Sequence, residues 1–198
     1  MANTAAARPG RPRSTSKDEI ERIAFDLFAT RGFDATTVDD IATAAGIGRR
    51  TFFRYFESKN DVVWGDFDTH MELMRARFAQ CPPDQPLMAA LRDVVVDFNR
   101  FDPAEVPWHR KRMDLILTVP ALQAHSTLRY AQWRQAVAAF AAQRLGVDEG
   151  MLVPRALGHA ALGCALAAYE QWLSSPDADL IECLTTSMDA LAAGFTTG

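Results

Sequence analysis

Histidine and cysteine are the side chains best suited to metal binding, proton transfer and nucleophilic attack, and here they are scattered. His70, His109, His125 and His159 stand far apart with no i, i+4 pair, and Cys81, Cys164 and Cys183 form no C-x-x-C. Separated thiols of this kind read as small buried hydrophobes in a reducing compartment. No G-x-S-x-G, Walker loop, dinucleotide-binding glycine pattern or H-E-x-x-H occurs. Ser14-x-x-Lys17 matches a penicillin-binding pattern but lacks its partner motifs. No cofactor or metal is expected, and an enzyme built on a helical bundle is the weaker alternative. The concentrated chemistry is cationic: Arg49, Arg50, Thr51 and Arg54 fall within six consecutive residues. Such a row can meet phosphate, and it equally fits a solvated helix face.

The charge distribution bears on that choice. The 198 residues carry a net charge of −4, with 48% hydrophobic and 23% charged residues, as in ordinary globular chains. Residues 1–60 hold ten bases and eight acids, whereas the remainder holds eleven bases and seventeen acids. Positive charge therefore gathers where phosphates would be met, and the rest repels nucleic acid. The basic N-terminus has no apolar segment after it, and Ala160 to Tyr169 is far shorter than the ~20 residues of a membrane span. A cytoplasmic, nucleoid-associated protein without membrane contact is expected.

The elements that must position the arginines are legible. Residues 1–14, rich in Ala, Pro, Gly and Arg, predict a disordered arm. Ser16-Lys17-Asp18-Glu19 has the capping-box form, and Ile20, Ile23, Ala24, Leu27 and Phe28 make one helical stripe. Gly32 ends that helix with a left-handed cap, onto which Phe33 packs back. Thr37-Val38-Asp39-Asp40 starts a second helix, carrying Ile41, Ala42 and Ala45, and Gly46 closes it. A third runs from Arg49 to Phe56. A short capped helix, a glycine turn and a second short helix make a helix-turn-helix. Ala42 and Ala45 allow close crossing, and Ile41, Ile47, Phe52 and Phe56 fill the space beneath.

Ser58-Lys59-Asn60-Asp61 caps a fourth helix, expected to be long because Val63, Phe67, His70/Met71, Met74 and Phe78 recur at near-heptad spacing up to Cys81-Pro82-Pro83. Helices are then expected over Leu87–Phe101, Trp108–Val119, Pro120–Leu145, Pro154–Leu173 and Ala178–Phe195. No alternating strand pattern appears. The expected fold is all-α with about nine helices: an arm over 1–14, a helix-turn-helix domain over 15–62 and a helical domain over 63–198.

Residues Phe28 to Ala42, with Ala45-Gly46-Ile47 and Thr51-Phe52-Phe53-Arg54-Tyr55-Phe56-Glu57-Ser58-Lys59, resemble the signature of the tetracycline-repressor (TetR) family. Gly48 to Phe56, Trp64-Gly65-Asp66-Phe67-Asp68 and Leu117-Thr118-Val119-Pro120-Ala121-Leu122 are similar to the regulators found with mycofactocin biosynthesis in actinobacteria. The resemblance implies a transcriptional regulator whose third helix enters DNA. Arg49 and Arg50 then fall where bases are read, Arg–guanine pairs contributing about 1–3 kcal/mol of discrimination. Thr51 would contact a thymine methyl or a phosphate. Thr37, Tyr55 and Lys59 match phosphate-contacting positions, which fix register. Phe53 departs from the family's usual Tyr and loses a phosphate bond that Arg54 could supply. Arg8 to Arg13 fits a minor-groove arm or a solubilising tail.

The resemblance also implies a homodimer on a palindromic double-stranded operator, with repression as the family's usual outcome. Ile181, Leu184, Met188, Leu191 and Phe195 step by three and four residues, a seam for a partner helix or for intra-chain core. Gly158, Ala161, Gly163, Ala165 and Ala168 would let the preceding helix approach closely. The middle helices should enclose a sensor pocket lined by Phe98, Met113, Ile116, Leu117, Trp133, Tyr169 and Trp172, residues that equally suit plain core. His109-Arg110-Lys111-Arg112 forms the basic run of this domain, with His109 and Arg112 placed at the pocket. It fits either a phosphate-holding mouth or a solvated first turn. The resemblance points to a small apolar effector such as a long-chain acyl-coenzyme A.

Overall fold

The computed structural model describes residues 16–195. The arm expected over 1–14 lies outside them. Among the described residues there are ten α-helices and no strand. The chain divides into two compact units between Val63 and Trp64.

The first unit contains α1 (Lys17–Arg31), α2 (Val38–Ala44), α3 (Arg49–Tyr55) and most of α4 (Lys59–Trp64). Local chemistry sets its helix ends. Ser16 Oγ accepts from the Glu19 amide, and Thr37 and Asp40 cap each other reciprocally at the start of α2. Caps of this kind contribute about 1 kcal/mol each. Gly32 has φ +83° and ψ 156°, so it leaves α1 through an extended positive-φ conformation rather than the left-handed helical one expected. The turn after α2 is a Schellman motif. Gly46 adopts φ +64°, its amide donates to the Thr43 carbonyl at 3.1 Å, and the Ile47 amide donates to Ala42 at 2.9 Å. Ile20, Phe28, Ile41, Phe52 and Phe56 are buried beneath the turn, and Ile47 is half-buried.

The second unit is built from α5 (Phe67–Ala79), α6 (Leu87–Phe98), α7 (Val106–Thr118), α8 (Pro120–Leu145), α9 (Leu152–Ser174) and α10 (Leu180–Ala192). Helix α9 packs between α8 and α10, α6 packs on α10 and α5, and α7 lies on α8. At the α8–α9 crossing a β-carbon on Gly158 would stand 2.6 Å from the Arg134 carbonyl, so this approach requires glycine. Arg144 donates to the carbonyls of Pro82 (2.6 Å), Pro83 (2.8 Å) and Gln85 (3.1 Å), tying the loop after α5 to α8.

The single long fourth helix is not formed. Gly65, with φ +57°, and Asp66 divide it into α4 and α5. The apolar spacing runs through the break and so conceals it. The Arg112 guanidinium occupies the space beside Gly65, 2.5 Å from where its β-carbon would be. The extra break raises nine helices to ten. The last helix is shorter than expected, ending at Ala192, because Gly194 (φ +70°) and Phe195 (φ +57°) leave helical geometry. No helix of the described residues is long and apolar enough to cross a membrane.

Candidate nucleic-acid interface and ligand cavity

Helix α3 turns its apolar side inward through the fully buried Phe52 and presents Arg49, Arg50, Phe53 and Arg54 to solvent. Arg49 Nη1 pairs with Asp39 Oδ2 of α2 at 2.8 Å, and its guanidinium lies over the Phe53 ring at 5.3 Å. Phe53 therefore serves as a platform for Arg49. Arg50 is exposed on the adjacent turn. Arg54 lies over the Tyr55 ring at 5.2 Å and donates to its hydroxyl at 3.4 Å. Thr51 and Tyr55 are half-buried.

Two of the expected phosphate-contacting residues hold structural bonds of their own. Thr37 Oγ1 accepts from the Asp40 amide and donates to Asp40 Oδ2 at 2.6 Å, while its amide donates to the same carboxylate. Those bonds keep the Asp40 carboxyl below its usual range, with Arg31 adding a smaller effect. Lys59 Nζ donates to the carbonyls of Phe33 (2.7 Å) and Thr36 (2.8 Å) and lies 4.1 Å from the Phe33 ring centroid. Partial burial lowers its pKa. An ammonium has three donors, so one is left over.

The second unit encloses a cavity of about 120 Å³. Phe98, Met113, Ile116, Trp133 and Tyr169 line it, as do His109 and Arg112. Further wall comes from Trp64 at the end of α4, Phe67 and His70 of α5, Asn99 and Phe101 after α6, and Tyr130 of α8. The polar groups on one wall form a chain. Asn99 Nδ2 donates to the Val95 carbonyl at 2.7 Å, which leaves Oδ1 to accept from the Tyr169 hydroxyl. That hydroxyl has spent its one proton, so its 2.7 Å bond to His109 Nε2 requires His109 to be the donor. His109 therefore carries a proton on Nε2. Burial, with smaller effects from Arg112 and His70, pushes its pKa down to about 3, so the ring is neutral. Burial likewise raises the Tyr169 phenol well above its usual range.

Residues 22–63 match the family described as "Bacterial regulatory proteins, tetR family", and residues 85–196 match the "MftR C-terminal domain". A mycofactocin biosynthesis transcriptional regulator, MftR, of Mycobacterium tuberculosis is 44% identical over 189 residues, covering 96% of each chain. The chain belongs to the TetR family of bacterial transcriptional regulators. The HTH-type transcriptional regulator TcmR of Streptomyces glaucescens is 28% identical, covering 88% of this chain and 80% of TcmR. Among solved TetR-fold structures, Thermus thermophilus FadR in complex with lauroyl-CoA aligns with TM-score 0.55 and 21% identity, over 92% of this chain and 96% of FadR. Bacillus subtilis FadR in complex with stearoyl-CoA aligns with TM-score 0.64 and 15% identity, over 90% and 99%.

Several expectations for this TetR regulator change. Leu117 and Trp172 do not line the cavity; Trp172 is buried against Arg110, whose guanidinium lies 4.3 Å from its ring. The basic run does not form one mouth, because successive helical residues point about 100° apart. Neutral His109 faces Tyr169, Arg110 donates to the Trp172 carbonyl at 2.8 Å, Lys111 is exposed, and Arg112 reaches the cavity.

In the proposed dimer seam, Leu184 and Met188 are 0% and 1% exposed within the protomer. They are core, held by α6 and α9. Ile181 and Leu191 are half-buried, and Phe195 is exposed beyond the helix. Of the small residues, Gly158, Ala161, Ala165 and Ala168 are buried in the protomer, whereas Gly163 opens to solvent. Asp39, Asn99 and Tyr130 were missed. Asn99 carried a signal, a polar residue one turn after Val95 on an apolar face. Asp39 and Tyr130 carried none that sets them apart from other surface or core residues.

Proposed function

We propose that this TetR regulator is a homodimeric repressor, acting in the cytoplasm on a palindromic double-stranded operator and released by an apolar effector. The observation carrying this reading is the exposed Arg49–Arg50 edge of α3, set by the Gly46 turn against α2. Arg49 and Arg50 read base edges, with Thr51 beside them. Arg54, Tyr55, Thr37 and the remaining donor of Lys59 contact phosphate. Dimerisation uses the outward side of α9 and α10, where Gly163, Ile181, Leu191 and Phe195 have open surface. Leu184 and Met188 take no part. Similarity to the M. tuberculosis regulator supports promoters of mycofactocin biosynthesis as targets.

The effector site is the cavity of the second unit, and the acyl-CoA complexes of the two FadR proteins support an acyl ligand. Size sets a condition. Apolar cavities of about 150 Å³ take up a benzene ring, so a cavity of about 120 Å³ holds only part of a long chain. A groove of about 480 Å³ shares His70, Phe98 and Phe101 with the cavity, and opening that wall provides the added length. An effector that prefers a conformation with poor DNA affinity lowers operator binding by the same coupling. The test is a footprint on mycofactocin promoter DNA with and without long-chain acyl-CoA. Protection lost on adding ligand is expected; no protection in either condition overturns the reading.

A further inference from the structure

The His109–Tyr169–Asn99 chain ends on a backbone carbonyl, so Tyr169 has no proton left for a ligand, and one of the two Asn99 amide N–H groups is spent on Val95. Elsewhere on the cavity wall the Trp64 indole N–H is buried without a hydrogen-bond partner, in a side chain only 8% exposed. The Tyr130 hydroxyl is likewise buried without a well-formed hydrogen bond. Ser126, one turn earlier on α8, gives its own proton to the Leu122 carbonyl at 2.7 Å. It stands to Tyr130 as a weak competing partner, which lowers that phenol's pKa against the larger effect of burial. The Trp64 and Tyr130 rings meet edge-to-face at 5.9 Å, so the two side chains are neighbours in the cavity wall.

A buried N–H or O–H left unbonded is costly, and a small apolar cavity with two such donors is shaped for one acceptor oxygen. Resting on the effector-site reading above, we propose that Trp64 Nε1 and the Tyr130 hydroxyl hold the uncharged carbonyl oxygen of an apolar ligand. Ketones, esters and thioesters share this chemistry. A carboxylate does not suit it, because two neutral donors return less than the charge loses on leaving water.

The experiment compares cyclobutanone with methylenecyclobutane, in which a methylene replaces the carbonyl oxygen, and with propanoate, all small enough for the cavity, by calorimetry on the full-length protein. One hydrogen bond supports a roughly ten-fold preference for cyclobutanone. That preference should fall in Trp64→Phe and in Tyr130→Phe, each of which removes one donor while keeping a ring. Trp64 has a second readout, since the indole cross-peak missing in Trp64→Phe should move downfield with cyclobutanone and stay with methylenecyclobutane. Equal binding of the two, or tighter propanoate binding, overturns the assignment and leaves the effector cavity standing. Binding of none of the three overturns both. Should Trp64→Phe fail to fold, a preference unchanged in Tyr130→Phe overturns the paired arrangement by itself.

Discussion

Asp39 of α2 grips Arg49 of α3 at 2.8 Å, so a residue proposed to read bases is held by a carboxylate before any DNA arrives. Both side chains are more than half exposed, at 64% and 60%, so the pair contributes at most about 1 kcal/mol. On the proposed reading it is exchanged for a base or phosphate on binding. Asp39→Ala should therefore raise DNA affinity, by up to about five-fold at low salt. Arg49→Ala or Arg50→Ala should cost about 1–3 kcal/mol on the operator and relax preference at one position. Fluorescence anisotropy across a salt series checks both. An Asp39→Ala protein with weaker binding would show that the pair orients Arg49 rather than restrains it.

Lys59 makes a different prediction. Its two bonds to Phe33 and Thr36 carbonyls tie α4 to the turn after α1. Hydrogen bonds to charged groups contribute about 1.5–3 kcal/mol. Lys59→Met should destabilise the first unit by roughly 2 kcal/mol as well as weaken DNA binding. Arg50→Ala should weaken binding with an unchanged melting curve. Urea denaturation of both variants separates the roles, and equal stability of the two would place Lys59 outside the fold's support.

The neutral His109 links the cavity to pH. Its pKa lies at about 3 in the fold against 6.5 in the open chain. Between those values the unfolded chain binds the extra proton, so stability rises with pH there. The contribution is complete above about pH 6.5 and is lost as pH falls toward 3. The slope reaches at most roughly 1.4 kcal/mol per pH unit for one proton. His109→Gln keeps a donor toward Tyr169 and should flatten that slope between about pH 6 and pH 4. Unfolding free energies measured across this range would show an unchanged slope if His109 stays protonated in the fold.

Two glycines of α9 should respond in opposite ways. A β-carbon at Gly158 meets the Arg134 carbonyl at 2.6 Å, whereas one at Gly163 meets nothing within 4 Å. Gly158→Ala should cost about 1–3 kcal/mol through strain at the α8–α9 crossing. Gly163→Ala should be neutral or stabilise the protomer by up to about 1 kcal/mol through helix propensity. Gly163→Arg fits the protomer but obstructs the proposed dimer face, so sedimentation should show a monomer. A dimer with unchanged dissociation constant would move the interface elsewhere.

Sequence alone determined the parts whose causes are local. Ser16, the Thr37–Asp40 box, Gly46 and Pro120 mark helix ends through bonds or dihedral preferences within a few residues, so α1, α2, the turn and the start of α8 were legible. The edge that presents Arg49 and Arg50 followed from them. Periodicity, by contrast, says that a face is covered and not by what. That is why Leu184 and Met188 read as a seam yet lie in the protomer's core, and why the spacing of Val63, Phe67 and Met71 ran unbroken across Gly65. Gly65 makes the break through its own positive φ, and the Arg112 guanidinium, far along the chain, fills the space a side chain there would need. The cavity was decided the same way. Trp64, Asn99, His109, Tyr130 and Tyr169 come from five separate segments, and only their packing determines which donors are spent on each other and which remain for a ligand.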